Sequence, residues 1–254
     1  MSYATTVTTL RAAGCVFAED EAELLLATAE GPAQLAEMTA RRAAGYPLEH
    51  VLGWAAFCGL RIAVGPGVFV PRRRTEYLAE QAAALLAPDS VVLDLCCGAG
   101  AVAAVLARGP HAELHAADLD PAAVACARRN LPASARLHQG DLYAPLSDGL
   151  RGRITVLVAN APYVPTDEIR FLPPEARDHE PLATLDGGPD GLAVQRRVIA
   201  DAPRWLAPGG HLLIETSARQ APATAATMTA AGLRPRTTTS APHDATVVVG
   251  TLPT

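Results

Sequence analysis

The residues best suited to chemistry form the tetrapeptide Asn160-Ala161-Pro162-Tyr163, which directly follows the apolar run 154–159. Such a run predicts a buried strand, so the tetrapeptide lies where that strand ends. The Asn160 side-chain oxygen and the Ala161 main-chain carbonyl can each accept a hydrogen bond. Pro162 stiffens the turn, and Tyr163 offers a flat aromatic wall. This set can hold a planar NH2 group, which predicts a reaction at an amide or amino nitrogen; the alternative is an ordinary Asn-Pro turn.

A second motif, Asp94-Leu95-Cys96-Cys97-Gly98-Ala99-Gly100, lies between a predicted strand and its helix. Glycines there let a ligand approach the backbone, and the helix N-terminus favours partial negative charge. Asp118 follows twenty residues after Gly98 (118 − 98), at the end of the next strand, where a carboxylate can accept hydrogen bonds from both ribose hydroxyls of an adenosine. The predicted cofactor-binding residues are Asp94, Cys96, Cys97, Gly98, Ala99, Gly100, Asp118, Leu119, Asp141, Leu142 and Asn160.

Two cofactors fit this loop. The run Gly98 to Ala103 also satisfies the glycine pattern of NAD-binding proteins, so the loop alone leaves NAD, S-adenosylmethionine (SAM) and no nucleotide open. Asp141 follows the third predicted strand, where its side chain can meet an adenine amino group. An alcohol dehydrogenase also needs an acid/base pair, for which the sequence offers no clear candidate. Both points favour SAM.

The composition narrows the class of partner. The chain has 254 residues, half of them hydrophobic, and a net charge of −5, which argues against direct binding of nucleic acid through its phosphates. The five Cys form no CxxC pair and no metal-binding spacing with His, so no metal site is predicted. An odd number of Cys without a secretory signal or a long apolar run predicts a cytoplasmic protein with no membrane segment.

The chain divides into three predicted parts, residues 1–56, 57–71 and 72–254. The first part is a small helical domain, with one helix capped by Asp20 and a second over 33–44. The second is a β-hairpin that turns at Gly65-Pro66-Gly67 and links the domains. Thr75 then N-caps the first helix of the large domain.

The large domain alternates strands with helices, which predicts a doubly wound, mostly parallel sheet of the α/β class with helices on both faces. Such sheets bind ligands at the carboxyl ends of their strands. Residues 165–191, rich in Pro, Gly and charge, form the one long loop. The predicted strands cover 91–95, 113–117, 136–139, 154–159, 210–215 and 246–252, and the helices cover 101–107, 121–130, 192–206 and 220–231.

These motifs together resemble the HemK-type protein-(glutamine-N5) methyltransferases, which modify the Gln of the Gly-Gly-Gln motif in peptide chain release factors. The similarity runs from Phe57 to the C-terminus and includes Pro71-Arg72…Thr75-Glu76, the 92–101 loop, Asp118 and Asn160-Ala161-Pro162-Tyr163. Its most specific part is Glu180-Pro181-Leu182-Ala183-Thr184-Leu185-Asp186-Gly187-Gly188-Pro189-Asp190-Gly191-Leu192. The resemblance implies a SAM-dependent methyltransferase with a seven-stranded Rossmann-like sheet. It also implies a helical N-terminal domain that contacts the release factor, and a tetrapeptide that holds the glutamine amide.

The chain departs from this family pattern in three places. Ala161 replaces the first Pro of the family's Asn-Pro-Pro-Tyr, Cys96 replaces the first glycine of its loop, and residues 1–55 are shorter than the usual N-terminal domain. A side chain at Cys96 restricts the backbone if φ is positive there. Several alternatives therefore stay open: another protein, a small molecule or an adenine amino group as acceptor, a SAM- or dinucleotide-binding protein without catalysis, and an NAD oxidoreductase.

Overall fold

The computed structural model describes residues 1–254. The chain folds into four N-terminal helices, a two-stranded hairpin and a seven-stranded sheet with helices on both faces. The helices are α1 (Tyr3–Ala12), α2 (Ala18–Thr28), α3 (Pro32–Ala43), α4 (Leu48–Leu52), α5 (Arg73–Ala83), α6 (Ala101–Leu106), α7 (Pro121–Asn130), α8 (Pro174–His179), α9 (Ala193–Trp205) and α10 (Ala221–Ala230). The strands are β1 (Trp54–Phe57), β2 (Leu60–Ala63), β3 (Val91–Leu95), β4 (Glu113–Asp118), β5 (Arg136–Gln139), β6 (Ile154–Ala159), β7 (Leu206–Thr216), β8 (Arg234–Ser240) and β9 (Ala245–Thr251).

Helices α1 to α4 enclose an apolar cluster of their own, separate from the core of the sheet. This separation supports the predicted N-terminal domain, whose boundary at residue 56 stays a prediction. The predicted cap at Asp20 is wrong, because α2 already begins at Ala18 and Asp20 lies in its first turn. There its charge faces the positive end of the helix dipole. The cluster consists of Val7, Leu10, Ala18, Ala22, Leu25, Leu35, Met38, Val51 and Leu52.

The hairpin lies earlier in the chain than predicted. Strands β1 and β2 pair through Cys58 and Gly59, whose φ values are 46° and 72°. Two positive φ values make a two-residue turn whose twist matches that of the flanking strands. The predicted turn at Gly65-Pro66-Gly67 does not close a hairpin, because the following Val68 and Val70 are buried without a strand partner. The alternation of apolar residues correctly predicted that Val68 and Val70 are buried, but it wrongly predicted that they pair in a hairpin.

The sheet confirms the predicted fold class. Its strand order is β5-β4-β3-β6-β7-β9-β8, with the first five strands parallel and β9 antiparallel to both neighbours. Strand residues alternate between two cores: Val92 packs with helices α5, α6 and α7, and Leu93 packs with α9 and α10. Strand β8 was not predicted, because its sequence of Arg, Pro, Thr and Ser carries no apolar alternation. An edge strand with one solvated face tolerates such a sequence.

The strand order creates a switch point beside β3. After β3 the chain adds β4 and β5 on one side and then crosses to place β6 on the other. Leu95 pairs with both Ala117 and Ala159, so the next residues, Cys96, Asp118 and Asn160, stand at one edge of the sheet. The fold thereby brings the two predicted motifs together.

The segment over 165–191 carries more structure than the predicted loop. It contains two short 3₁₀ helices, Thr166–Phe171 and Leu182–Thr184, on either side of α8. Helix α5 likewise differs from its prediction: it begins at Arg73 with Arg72 as N-cap, so the predicted cap role of Thr75 is wrong. Among all the helices, none has the length and apolar character needed to cross a membrane.

Candidate active site

A cavity of about 820 Å³ opens at the carboxyl edge of the sheet, where β3, β4 and β6 end. It brings both predicted motifs into one space. Gly100 is the one predicted site residue that does not line it; a Cβ there would lie 3.0 Å from the Ala127 Cβ, so this glycine lets α7 approach. The predicted residues that line the cavity are Asp94, Cys96, Cys97, Gly98, Ala99, Asp118, Leu119, Asp141, Leu142, Asn160, Ala161, Pro162 and Tyr163.

The loop after β3 has the backbone shape of a glycine-rich loop despite its cysteines. Cys96 has a φ of 57° and Gly98 a φ of 54°. A left-handed conformation costs a residue with a side chain about 1–2 kcal/mol, so the loop is held in place by its surroundings. Burial raises the pKa of both the Cys96 and Cys97 thiols, which keeps them neutral and unreactive. A Cβ built at Gly98 would meet no atom within 4 Å, so its open face is available to a ligand.

Asp118 closes the loop from the neighbouring strand. Its Oδ2 accepts a hydrogen bond from the Gly98 N–H at 2.8 Å, and its Oδ1 accepts one from Asp120 N at 2.9 Å. Burial raises the pKa of this carboxyl, and the bonds from backbone N–H groups oppose the shift. Each carboxylate oxygen keeps a further lone pair, so the capacity to bind ribose hydroxyls remains.

Asp141 has a different setting from the one predicted for an adenine contact. It is exposed at the cavity rim and forms an ion pair with Arg197 on α9 at 2.6 Å. An exposed pair of this kind is weak, about 0–1 kcal/mol, so a ligand can compete for the carboxylate. The contact to adenine stays a prediction.

The tetrapeptide after β6 presents two unused acceptors. Asn160 Nδ2 donates to the Thr75 Oγ1 at 3.1 Å, which leaves the Asn160 Oδ1 pointing to no protein donor. The Ala161 carbonyl also accepts no hydrogen bond from the protein. The Tyr163 hydroxyl donates to the Glu215 Oε1 at 3.2 Å, which fixes the ring beside them. A donor NH2 group therefore finds two free acceptors and an aromatic wall in the same cavity as the glycine loop.

Comparison with known proteins places this geometry in a family. A family model described as "Methyltransferase small domain" matches residues 60–171. A protein of Mycolicibacterium smegmatis named "Release factor glutamine methyltransferase" is 43% identical over 235 residues, covering 83% of each chain. The chain belongs to the release factor glutamine methyltransferase family.

Two further comparisons agree. A Geobacter sulfurreducens protein with the same name is 41% identical over 188 residues; the match covers 72% of this chain and 65% of that relative. A crystal structure of a methyltransferase from Pyrococcus furiosus superposes with a TM-score of 0.60 at 16% identity, covering 86% of this chain and all of that one (100%). The structural likeness concerns the fold alone. Family membership decides between the two predicted cofactors in favour of SAM and against the NAD oxidoreductase.

The family segment from Glu180 to Leu192 packs against the backbone of the tetrapeptide and of the residue that follows it. Val164 N donates to the Leu185 carbonyl at 3.0 Å, and Gly187 N donates to the Val164 carbonyl at 2.8 Å. A Cβ at Gly187 would lie 2.7 Å from the Pro162 carbonyl oxygen, and one at Gly191 would overlap the Tyr163 carbonyl oxygen. These glycines are therefore required for the close approach of two backbones.

Three residues that contact the tetrapeptide were not predicted as site residues, although Thr75 was predicted as a helix cap. Gln220 donates to the carbonyls of Tyr163 and Asp190 at 2.9 and 3.0 Å, and so ties the tetrapeptide to the family segment. Thr75 and Glu215 hold the side chains of Asn160 and Tyr163. The apolar run before Glu215 predicted a strand. A carboxylate at the end of that strand was the one feature of the sequence that could have indicated Glu215 as a site residue.

Asp94 lies beneath the loop and serves helix α6. Its Oδ2 accepts a hydrogen bond from the Ala103 N–H at 3.0 Å, a first-turn donor that no N-cap side chain satisfies. The side chain is buried, and burial raises the pKa of the carboxyl to about 7. The folded, SAM-free protein therefore carries a cost for ionising Asp94 that the unfolded chain does not.

We expect this cost to make stability depend on pH. In the unfolded chain Asp94 titrates near pH ~4, so between pH ~4 and ~7 the folded protein holds a proton that the unfolded chain has lost. The free energy of unfolding should fall as pH rises through this window. Asp94→Asn keeps an acceptor for Ala103 and should be more stable than the wild type above pH 7, by about 2–4 kcal/mol.

Urea unfolding without SAM at pH 5, 6, 7 and 8 measures the effect. The exposed neighbour Asp89 provides the matched control, because Asp89→Asn makes the same change of charge without burial. Parallel pH curves for wild type and Asp94→Asn would contradict the assignment of the titration to Asp94.

Proposed function

We propose that this protein transfers a methyl group from SAM to the side-chain amide nitrogen of a protein glutamine, the Gln of the Gly-Gly-Gln motif in a peptide chain release factor. One observation carries the proposal: Asn160 is oriented by Thr75 so that its Oδ1, together with the Ala161 carbonyl, can accept from both hydrogens of an NH2 group. The names of the relatives at 41–43% identity support the choice of acceptor.

The residues of the chain act on the acceptor. An amide nitrogen is a poor nucleophile because its lone pair is delocalised into the carbonyl. Two hydrogen bonds accepted from the N–H groups orient the nitrogen and favour the positive charge that develops on it. Tyr163 limits movement of the amide plane. The nitrogen proton can leave after methyl transfer, so no strong general base is needed.

The cofactor fits the same cavity. When bound, SAM supplies an electrophilic methyl group on its sulfonium. The loop around Gly98 offers open backbone for the nucleotide, and Asp118 offers acceptors for the ribose. Both line the cavity that contains Asn160, so cofactor and amide can share one space.

The N-terminal helices suit contact with the protein substrate. Val16 and Phe17, between α1 and α2, are 83% and 67% exposed. Arg42 of α3 forms an ion pair with Glu175 of α8 at 2.9 Å, and α8 borders the cavity. A release factor that contacts these helices would thus lie beside the cavity mouth. The chain's net charge of −5 supports a protein acceptor over nucleic acid.

A methyl-transfer assay tests the proposal. The protein is incubated with SAM carrying a radiolabelled methyl group and with purified release factor, and the labelled peptides are mapped. We expect label on the Gly-Gly-Gln glutamine and none on a release factor in which that glutamine is replaced by alanine. Label on another residue, or SAM binding without transfer to the factor, would overturn the proposed acceptor.

A further inference from the structure

Two buried polar residues contact side chains of the tetrapeptide. Thr75, in the first turn of α5, is 4% exposed, and Glu215, near the end of β7, is 1% exposed. Thr75 contacts the Asn160 amide and Glu215 contacts the Tyr163 hydroxyl. Thr75 lines the cavity beside Asn160, whereas Glu215 does not line it.

The hydrogen bonds of Thr75 have a direction. A hydroxyl has one proton to donate and lone pairs to accept. Since the Thr75 Oγ1 accepts from the Asn160 Nδ2, its own proton is free for another acceptor. The nearby Thr75 hydroxyl opposes the rise in the pKa of the Glu215 carboxyl, whose Oε1 accepts from Tyr163 and whose Oε2 has no hydrogen-bond partner. The direction of donation is therefore from the Asn160 Nδ2 to the Thr75 Oγ1.

This direction decides what Asn160 offers to the cavity. If Thr75 donated to Asn160 instead, the Asn160 amide would turn and present its NH2 group. The NH2 group of Asn160 could not orient the NH2 group of the glutamine, because both groups only donate hydrogen bonds. The bond that Thr75 accepts from the Asn160 Nδ2 is thus what keeps the Asn160 Oδ1 facing the acceptor.

Glu215 also destabilises the folded state. Burial raises the pKa of its carboxyl, and its Oε2 has no hydrogen-bond partner within bonding geometry. Arg74, the nearby cation, directs its bond to the Tyr163 hydroxyl at 3.4 Å rather than to Glu215. A buried, incompletely satisfied carboxyl destabilises a protein, which points to a role outside stability.

We propose that Thr75 and Glu215 are positioning residues that set the amide orientation of Asn160 and hold the Tyr163 ring. This inference rests on the proposed role of Asn160 in binding an NH2 group. It assigns the two residues to the rate of methyl transfer rather than to cofactor binding.

Paired substitutions test it. Thr75→Val keeps the shape and removes the hydroxyl, and Thr75→Ser restores it. We expect Thr75→Val to lower kcat roughly 10- to 100-fold, the loss of about one aligned hydrogen bond, with the Kd for SAM changed less than about threefold. Thr75→Ser should stay within about threefold of wild type, and Glu215→Leu, which removes the acceptor of the Tyr163 hydroxyl, should lower kcat by about tenfold.

Thr155→Val is the matched control, because its hydroxyl bonds the Val91 backbone at the opposite end of the same strand β6. It should leave kcat unchanged. Equal kcat for wild type and Thr75→Val would overturn the inference while label on the release factor leaves the proposed function standing.

A second readout does not depend on the acceptor. Solvent exchange of the Asn160 side-chain NH2, followed by NMR and assigned by its loss in Asn160→Asp, reports the bond to Thr75 directly. We expect faster exchange in Thr75→Val than in wild type and rescue in Thr75→Ser. Exchange that is equally fast in all three proteins would overturn the inference even if another acceptor replaced the release factor.

Discussion

Asn160→Ala should lower kcat for glutamine methylation by roughly 100- to 1,000-fold, the effect of removing one preorganised polar group at a reacting centre. The substitution deletes the Oδ1 acceptor that aligns the amide nitrogen. The Kd for SAM should change less than a few-fold, because the glycine loop and Asp118 lie on other strands. Single-turnover transfer to release factor and calorimetric titration of SAM measure the two quantities separately.

Asn160→Asp sharpens this experiment. It keeps an oxygen in the cavity but loses the N–H group that donates to Thr75. We expect its kcat to fall as well, because a carboxylate cannot donate to the Thr75 Oγ1 and can only accept the single Thr75 proton. Turnover at the wild-type rate by Asn160→Ala would refute the proposed role of the tetrapeptide.

Asp118→Ala should raise the Kd for SAM by about 100-fold, since a charged acceptor contributes about 1.5–3 kcal/mol to a hydrogen bond. The variant also frees the Gly98 N–H, which loosens the loop. S-adenosylhomocysteine and its 2′-deoxy analogue separate the two effects. The wild type should bind the deoxy analogue more weakly, whereas Asp118→Ala should bind both alike.

Asp120→Asn is the control for this measurement. Asp120 follows closely in sequence and caps helix α7 through the Ala122 N–H at 2.8 Å, a bond that asparagine can keep. Its Kd for SAM should stay within about threefold of wild type. An unchanged Kd in Asp118→Ala would contradict a contact between Asp118 and the ribose.

The sequence was most informative where burial is uniform. Strands β3 and β6 are apolar except for Asp94 and Thr155, so their positions and their parallel pairing were predictable. Strand β8 was missed because only its pairing with β9 makes it a strand. The predicted hairpin was misplaced because apolar and polar residues alternate in two stretches near Phe57. Only the positive φ at Cys58 shows that the turn lies in the first stretch.

The site divides in the same way. Gly98 and Asn160 belong to local motifs, so the sequence predicted them, and both line the cavity. Thr75 and Glu215 were not predicted as site residues, because their contacts join residues 85 and 52 positions apart in the chain. A threonine at the start of a predicted helix indicates an N-cap, and only the fold shows that Thr75 lies against the end of strand β6. Long-range polar contacts are therefore the part of the site that requires the structure.

Strand β9 has a consequence for how the protein is made. It is the last strand in the chain, yet it lies between β7 and β8 and pairs with both along its length. During synthesis β8 has no partner in the sheet and β7 keeps an open, apolar edge until residue 251 has emerged. The strands are therefore synthesised in an order that differs from their order in the sheet. We expect nascent chains that stop short of β9 to aggregate through the β7 edge rather than to accumulate as partly active enzyme.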